Sequence, residues 1–238
     1  MRPDRDDVHI RELSGMAEFT RAVAFQEETW GSGFSERVPR SMMKVTQRLG
    51  GVVAGAFRAD GAADGAMVGF VFGVTGVEAG RVVHWSDILA VSPDVRDRGV
   101  GVRLKRFQRD AVLARGVTRM YWTFDPLESR NAYLNLGKLG AVAREYEPDM
   151  YGASDSPLHR GLGTDRFVAV WKLDSERVRR RLAGEPPPAS DTVAHLALAF
   201  PLPDVPDTRA GPRAPSAAEV QALLDSPAAR VAGGFRVP

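Results

Sequence analysis

The chain has 238 residues, 44% of them hydrophobic and 26% charged, with a formal net charge of +2. That length suits one large domain, or one domain with an extension, in an ordinary globular protein. The lack of any cysteine excludes a disulfide framework, a cysteine nucleophile and a thiolate metal site. No charge-free apolar run approaches the ~18 residues of a membrane helix. The opening MRPDRDDVHI lacks the apolar core of a secretory signal, so no membrane association and a cytoplasmic location are expected.

Residues 8–173 alternate strand-like and helix-like patterns. VHIREL reads as a first strand, and Ser14 as the cap of a helix reaching Trp30. A second helix spans Ser41 to Leu49. VVAGAF, a Gly/Ala/Asp turn and MVGFVFGV form a hairpin, and VVHWSDILAV a fourth strand. Gly99 to Arg115 is a helix with Val100, Leu104, Phe107, Ala111 and Ala114 as its apolar stripe, and Gly116 sits at its C′ position. TRMYWTF is a fifth strand, followed by a helix over Ser129 to Leu139 and then Gly140. Ala141 to Tyr146 and Arg166 to Leu173 complete the strands. The fold class is α/β, in the α+β sense of a mixed sheet covered by helices.

Composition changes near residue 184. Ten of the 16 prolines fall in Glu185 to Pro238. We therefore expect a main domain over 1–175, and over 176–238 a Pro-rich linker and extension that packs on the main domain or on a partner subunit. Within it, His195 to Phe200 suits a strand and Ser216 to Arg230 a short helix. Such an arm is compatible with a homodimer.

Between Arg96 and Arg119 lie eight basic and two acidic residues, a local charge of +6 that leaves −4 for the rest. A cationic block of this kind has two readings, an anion-binding site such as one for phosphate or a solvated helix face. Alternating aromatic and basic residues of a nucleic-acid surface are not present, so no nucleic-acid partner is expected.

The sharpest local feature follows the fourth strand: Arg96-Asp97-Arg98-Gly99-Val100-Gly101, opening a helix. Glycines let backbone N–H groups crowd an anion. The helix N-terminus adds unpaired N–H groups and the positive end of its dipole. Together they make a pyrophosphate cradle, to which Arg96 and Arg98 can add charge-assisted hydrogen bonds. A third glycine of a dinucleotide fingerprint would fall at Leu104, and no Gly-Lys-Ser/Thr closes the turn.

In Arg96, Gly99 and Gly101, in its element order, and in WTFDPLESRNAYLNLGKLGA followed by YG and TDRFVAVW, the chain resembles the GNAT superfamily of N-acyltransferases, in a poorly characterised bacterial branch. The resemblance implies a sheet splayed between strands four and five. It also implies acetyl-CoA or another acyl-CoA as co-substrate; His9, His84, His159 and His195 are scattered without ligand spacing, so no metal is expected. The pantetheine arm would lie on the backbone of Leu89, Ala90 and Val91. The pyrophosphate would sit on the amides of Arg96, Asp97, Arg98, Gly99, Val100 and Gly101, and Asn131 would touch the cofactor. Relatives of the branch imply acetyl or succinyl transfer to a small amine, amino acids included. The alternative is a GNAT-like protein that binds acyl-CoA without catalysis.

Acyl transfer needs a base for the amine and a proton for the leaving thiolate. Many members carry a tyrosine four residues before the glycine that ends the helix after strand five. Here that residue is Leu136, and Tyr133, one turn earlier, is the substitute; its other reading is a tyrosine packed in the core. A fourth-strand glutamate of one branch aligns with Trp85. Asp87, two residues on and on the same face, is the candidate base. Its other readings are an arginine partner or a substrate ligand, with an ordered water chain as base instead. Asp125 reads as the cap ending strand five. The amine would attack the thioester directly, since no cysteine offers a covalent intermediate.

Overall fold

The computed structural model describes residues 8–32, 34–60, 63–152 and 163–185. The strand expected over 195–200 and the helix over 216–230 lie outside them. The described elements are β1 (Val8–Glu12), α1 (Gly15–Trp30), α2 (Arg40–Arg48), β2 (Val52–Asp60), β3 (Ala63–Glu78) and β4 (Arg81–Val91). They continue with α3 (Val100–Leu113), β5 (Arg119–Phe124), α4 (Ser129–Ala132), β6 (Val142–Glu147), β7 (Arg166–Lys172) and α5 (Glu176–Leu182). No described helix is long and apolar enough to cross a membrane.

All seven strands join one sheet in the order β1-β2-β3-β4-β5-β7-β6. Every neighbouring pair is antiparallel except β4 and β5. Those two pair in parallel at two positions only, His84 with Met120 and Trp85 with Tyr121. Beyond that point β4 runs on to Val91 and β5 to Phe124 without a ladder between them, so the sheet opens as a V. This is the splay expected between strands four and five.

Apolar side chains on the two sheet faces build two cores. Val100, Leu104 and Val112 of α3 pack with Trp122 and Trp171 on one face, where the two indoles meet edge-on at 5.7 Å. Phe19, Ala22 and Phe25 of α1 and Met43 of α2 pack with Val53, Phe70 and Ile88 on the other. Burying one such Phe or Leu side chain stabilises the fold by about 1.5–3 kcal/mol. α5 joins the first core through Val178.

Three local expectations differ from the structure. The Ser14 hydroxyl makes no cap hydrogen bond; instead its amide donates to Glu18 Oε2 at 2.6 Å, and Arg11 holds that carboxylate with two further bonds. The buried face of α3 keeps Val100 and Leu104 of the expected stripe and adds Lys105, Gln108 and Val112, while Phe107 and Ala111 are only partly buried against the same core and Ala114 is exposed. The helix after β5 is α-helical only over Ser129–Ala132 and then widens into π-helical turns over Tyr133–Lys138, where the Leu139 amide reaches the Leu134 carbonyl at 2.9 Å. Such wide turns are often found at functional sites.

Candidate active site

The turn expected to cradle a phosphate begins where β4 stops. The Ser92 amide bonds the Val68 carbonyl at 2.9 Å, and a 3₁₀ turn over Pro93–Val95 buries Val95 in the core. The chain then passes through two left-handed residues, Asp97 (φ 63°) and Gly99 (φ 78°), before α3 starts. Aspartate tolerates that region at some cost and glycine at none. The amides of Val100, Gly101 and Val102 have no acceptor among the described residues. They point outward at the positive end of a 14-residue helix. A Cβ added at Gly99 would meet nothing within 4 Å, so open space lies above this turn.

A cleft of about 710 Å³ runs from this turn. Leu89, Ala90, Val91, Arg96, Asp97, Gly99, Val100, Gly101, Asn131 and Tyr133 line it, and Arg98 does not. The Arg96 Nε donates to the Val91 carbonyl at 3.2 Å, which holds the guanidinium beside the cradle. Tyr133 is 65% exposed at the mouth, whereas Leu136 packs against the core. The two therefore do not share a helix face, and Tyr133 is not a core tyrosine. The wide π turn rotates it away.

A second hollow of about 520 Å³ lies in the V itself. Trp30, Leu89, Asp125, Asn131 and Leu134 line both, so the two are parts of one continuous cleft. Asp87 is in the wall of this second part, at a β-bulge where β4 slips by one residue against Phe72 and Gly73 of β3. The bulge turns Asp87 toward Trp85 and Glu36, while His84 and Ser86 face α3. Solvent reaches the Asp87 carboxylate through the mouth of the cleft, yet protein crowds it on most sides. That burial raises its pKa; the Trp85 indole hydrogen bond works against the shift and Glu36 adds to it. The loop carrying Glu36 is pinned by the fully buried Gln26, whose Oε1 accepts from the Val38 amide at 2.8 Å, and by Phe34 stacked on Trp30 at 5.5 Å. Asp125 accepts from the Leu127 amide at 2.8 Å, closing the turn after β5.

Sequence reasoning missed two features here. Tyr151 faces Asp87 across the hollow, its hydroxyl 2.8 Å from Thr123 Oγ1 and its pKa raised by burial. Its signal was the YG dipeptide. Lys105 is 2% exposed, and its Nζ donates to Ser86 Oγ at 2.6 Å and lies 3.9 Å above the Trp122 ring. Ser86 donates to Gln108 Oε1 (2.8 Å), Gln108 Nε2 meets His84 Nε2 (3.1 Å), and His84 Nδ1 meets Thr75 Oγ1 (3.0 Å). Burial, with Lys105 and Arg115 nearby, pushes the imidazole down to about 3, so it is neutral. Gly73 makes room for this chain, because a Cβ there would fall 2.4 Å from His84 Nε2 and 2.6 Å from Gln108 Nε2.

Much of the basic block is structural. Arg103 bonds the Val8 carbonyl, Arg106 that of Leu182, Arg109 that of Leu173, and Arg115 those of Gly50 and Gly51 together with Glu12. Of its eight members only Arg96 and Lys105 line the cleft. Among the described residues no group of three His, Asp or Glu side chains is placed to hold a metal ion.

Burial also holds the Lys105 pKa well below its usual value. The folded protein then binds fewer protons than the unfolded chain between that lowered pKa and ~10.4, so stability rises with pH across this window. Lys105→Met keeps the stem and removes the charge. It is expected to stabilise the fold at pH 7 by about 1–4 kcal/mol, the range seen when buried charged groups give way to apolar ones. The gain should shrink toward pH 10, which thermal unfolding at several pH values will show.

No family model matches the chain, and no curated protein matches it. Solved structures do. The acetyltransferase of GNAT family from Streptococcus pneumoniae superposes with a TM-score of 0.52 at 17% identity, over 69% of this chain and 98% of that one. The ribosomal-protein-S18-alanine N-acetyltransferase from Escherichia coli gives 0.52 at 15%, over 71% and 96%. Arabidopsis thaliana Naa50, in complex with the bisubstrate analogue CoA-Ac-MVNAL, gives 0.53 at 15%, over 68% and 97%. The chain has the GNAT acetyltransferase fold.

Proposed function

We propose that the chain is an acyl-CoA-dependent N-acyltransferase that moves an acetyl or succinyl group to a small amine, with amino acids among the acceptors. The observation that carries this reading is the continuity of the cleft: unbonded helix amides and Arg96 at one end, Asp87 at the other, and the unladdered edge of β4 between them. The fold neighbour captured with a CoA-linked peptide supports it.

In this reading the amides of Val100, Gly101 and Val102 receive the pyrophosphate, and Arg96 adds charge. Leu89, Ala90 and Val91 offer main-chain groups to the pantetheine arm as a neighbouring strand would. Asp87 takes the proton released as the amine nitrogen bonds to the thioester carbon. As the carbon–sulfur bond breaks, a tyrosine hydroxyl returns a proton to the thiolate: Tyr133 from the cradle side or Tyr151 from the Asp87 side. Tyr133→Phe is expected to lower kcat with CoA affinity unchanged, since the ring stays. Steady-state kinetics beside a CoA titration will separate the two effects, and an unchanged kcat removes Tyr133 from the reaction.

A second reading, acyl-CoA binding without catalysis, is favoured by Leu136 and Trp85 standing where catalytic groups of such proteins occur. Both readings share the cradle, and calorimetry tests it. CoA should bind, Arg96→Ala should weaken it, and pantetheine, which lacks the nucleotide, should hardly respond. Arg98→Ala should have the smaller effect, because Arg98 lies outside the cleft. Added salt should weaken CoA more in the wild type than in Arg96→Ala. No binding of CoA at millimolar concentration would remove both readings.

A further inference from the structure

The narrow end of the V is built for something that neither the cradle nor Asp87 accounts for. Lys105 and Trp122 both line the hollow there, close to where the β4–β5 ladder stops at Trp85 and Tyr121. Both are buried, at 2% and 5% exposure. No carboxylate pairs with Lys105 among the described residues, and burial alone accounts for its lowered pKa. Trp122 Nε1 is buried without a hydrogen-bond partner among the described residues.

The buried chain behind them decides which way these donors work. Neutral His84 gives its Nδ1 proton to Thr75, whose own hydroxyl is committed to the Gly50 carbonyl, and so accepts at Nε2 from the Gln108 amide. That leaves Gln108 Oε1 to accept from Ser86, whose oxygen in turn accepts from Lys105. Every bond runs away from Lys105, so among the described residues its remaining N–H groups meet the Trp122 ring but no oxygen acceptor. Burying a cation without a counter-charge, and an indole N–H without an acceptor, is costly. The cost is removed by a ligand that brings oxygens and negative charge.

We propose that Lys105 and Trp122 close the far end of the acyl subsite and select an acyl group that ends in a carboxylate. The inference rests on the acyl-CoA reading of the cleft and adds to it the residues that choose the acyl group. A chain held at the cradle and along Leu89–Val91 presents its thioester near Asp87, and the part beyond the thioester points into the narrow end. A plain alkyl end leaves both donors unsatisfied. A carboxylate end supplies acceptors for Lys105 and for the indole N–H, and its negative charge favours the ammonium form of Lys105. Ser86, Gln108 and His84 are positioning residues that hold Nζ over the Trp122 ring, where the cation–π contact also favours the ammonium.

The test is calorimetric binding of CoA, butyryl-CoA and succinyl-CoA, the last two matching in chain length and differing in the terminal charge. The wild type should bind succinyl-CoA at least tenfold more tightly than butyryl-CoA. Lys105→Met should abolish or reverse that preference while binding CoA as the wild type does. Trp122→Phe, which keeps a ring and removes the N–H, should reduce it. The wild-type pair decides the matter even if a variant fails to fold. Equal or tighter binding of butyryl-CoA by the wild type, or a succinyl preference that survives in Lys105→Met, overturns the proposal and leaves the acyl-CoA reading standing. Failure of CoA itself to bind overturns the reading and the proposal together.

Discussion

Asp87→Asn should lower kcat about 10²- to 10⁴-fold, the usual range for loss of a general base. Asparagine keeps the size and the Trp85 contact, so the fold and CoA affinity should persist. The wild-type carboxylate accepts a proton only when ionised, and burial raises its pKa. Activity should therefore fall as pH drops through that raised value and level off above it. The amine acceptor must also be unprotonated, which adds an acid limb of its own. In Asp87→Asn the limb belonging to the carboxylate should vanish, leaving that of the amine. A variant that keeps more than half of wild-type turnover, with the chemical step shown to be rate-limiting, would remove Asp87 from proton transfer and favour an ordered water chain.

The second large effect belongs to the cradle. Gly99→Glu should weaken CoA at least tenfold, equivalent to ~1.4 kcal/mol. Gly99 has φ 78°, a conformation costing a side-chain-bearing residue about 1–2 kcal/mol. The space its Cβ would enter is open, so the loss should fall mainly on the ligand. The new carboxylate would lie at the positive end of α3, which favours the folded variant while occupying the place of the phosphates. Gly101 makes the contrast. A Cβ there would lie 3.8 Å from Val91 Cγ2, an ordinary contact, so Gly101→Ala should fold and bind CoA nearly as the wild type does. Calorimetry on the two variants measures the difference, and unchanged CoA binding by folded Gly99→Glu would move the phosphates elsewhere.

The readable parts of this chain were those written locally. Alternation marked β1 to β7, glycines marked the ends of α3 and of the turns before β6, and the strand–glycine–helix succession marked the turn over 96–101 that opens α3. The resemblance added the splay. What stayed hidden depends on contacts between distant segments. The π turn at Tyr133 is a backbone choice that a helical pattern does not distinguish from an α-helix, and it turns the tyrosine outward. The buried face of α3 includes Lys105 and Gln108, because Ser86 and His84, some 20 residues earlier, give them partners. Reading the helix by apolar residues alone found Val100 and Leu104 of that face and missed its polar members. Three arginines counted in the cationic block, Arg103, Arg106 and Arg115, are spent on carbonyls of β1, α5 and the turn after α2. Asp87 was legible as a carboxylate near the cleft, but its neighbours Glu36 and Tyr151 come from loops whose approach no local pattern encodes.

The central claim, acyl transfer to an amine, is tested most directly by thiol release. Purified protein is incubated with acetyl-CoA or succinyl-CoA and a panel of small amines including amino acids. Free CoA is then followed with a thiol reagent, and the acylated amine is identified by mass. Release should depend on a particular amine, match the acyl product one for one, and be lost in Asp87→Asn. Tight binding of acyl-CoA with no amine-dependent release across the panel would contradict it and leave a protein that binds the thioester without using it.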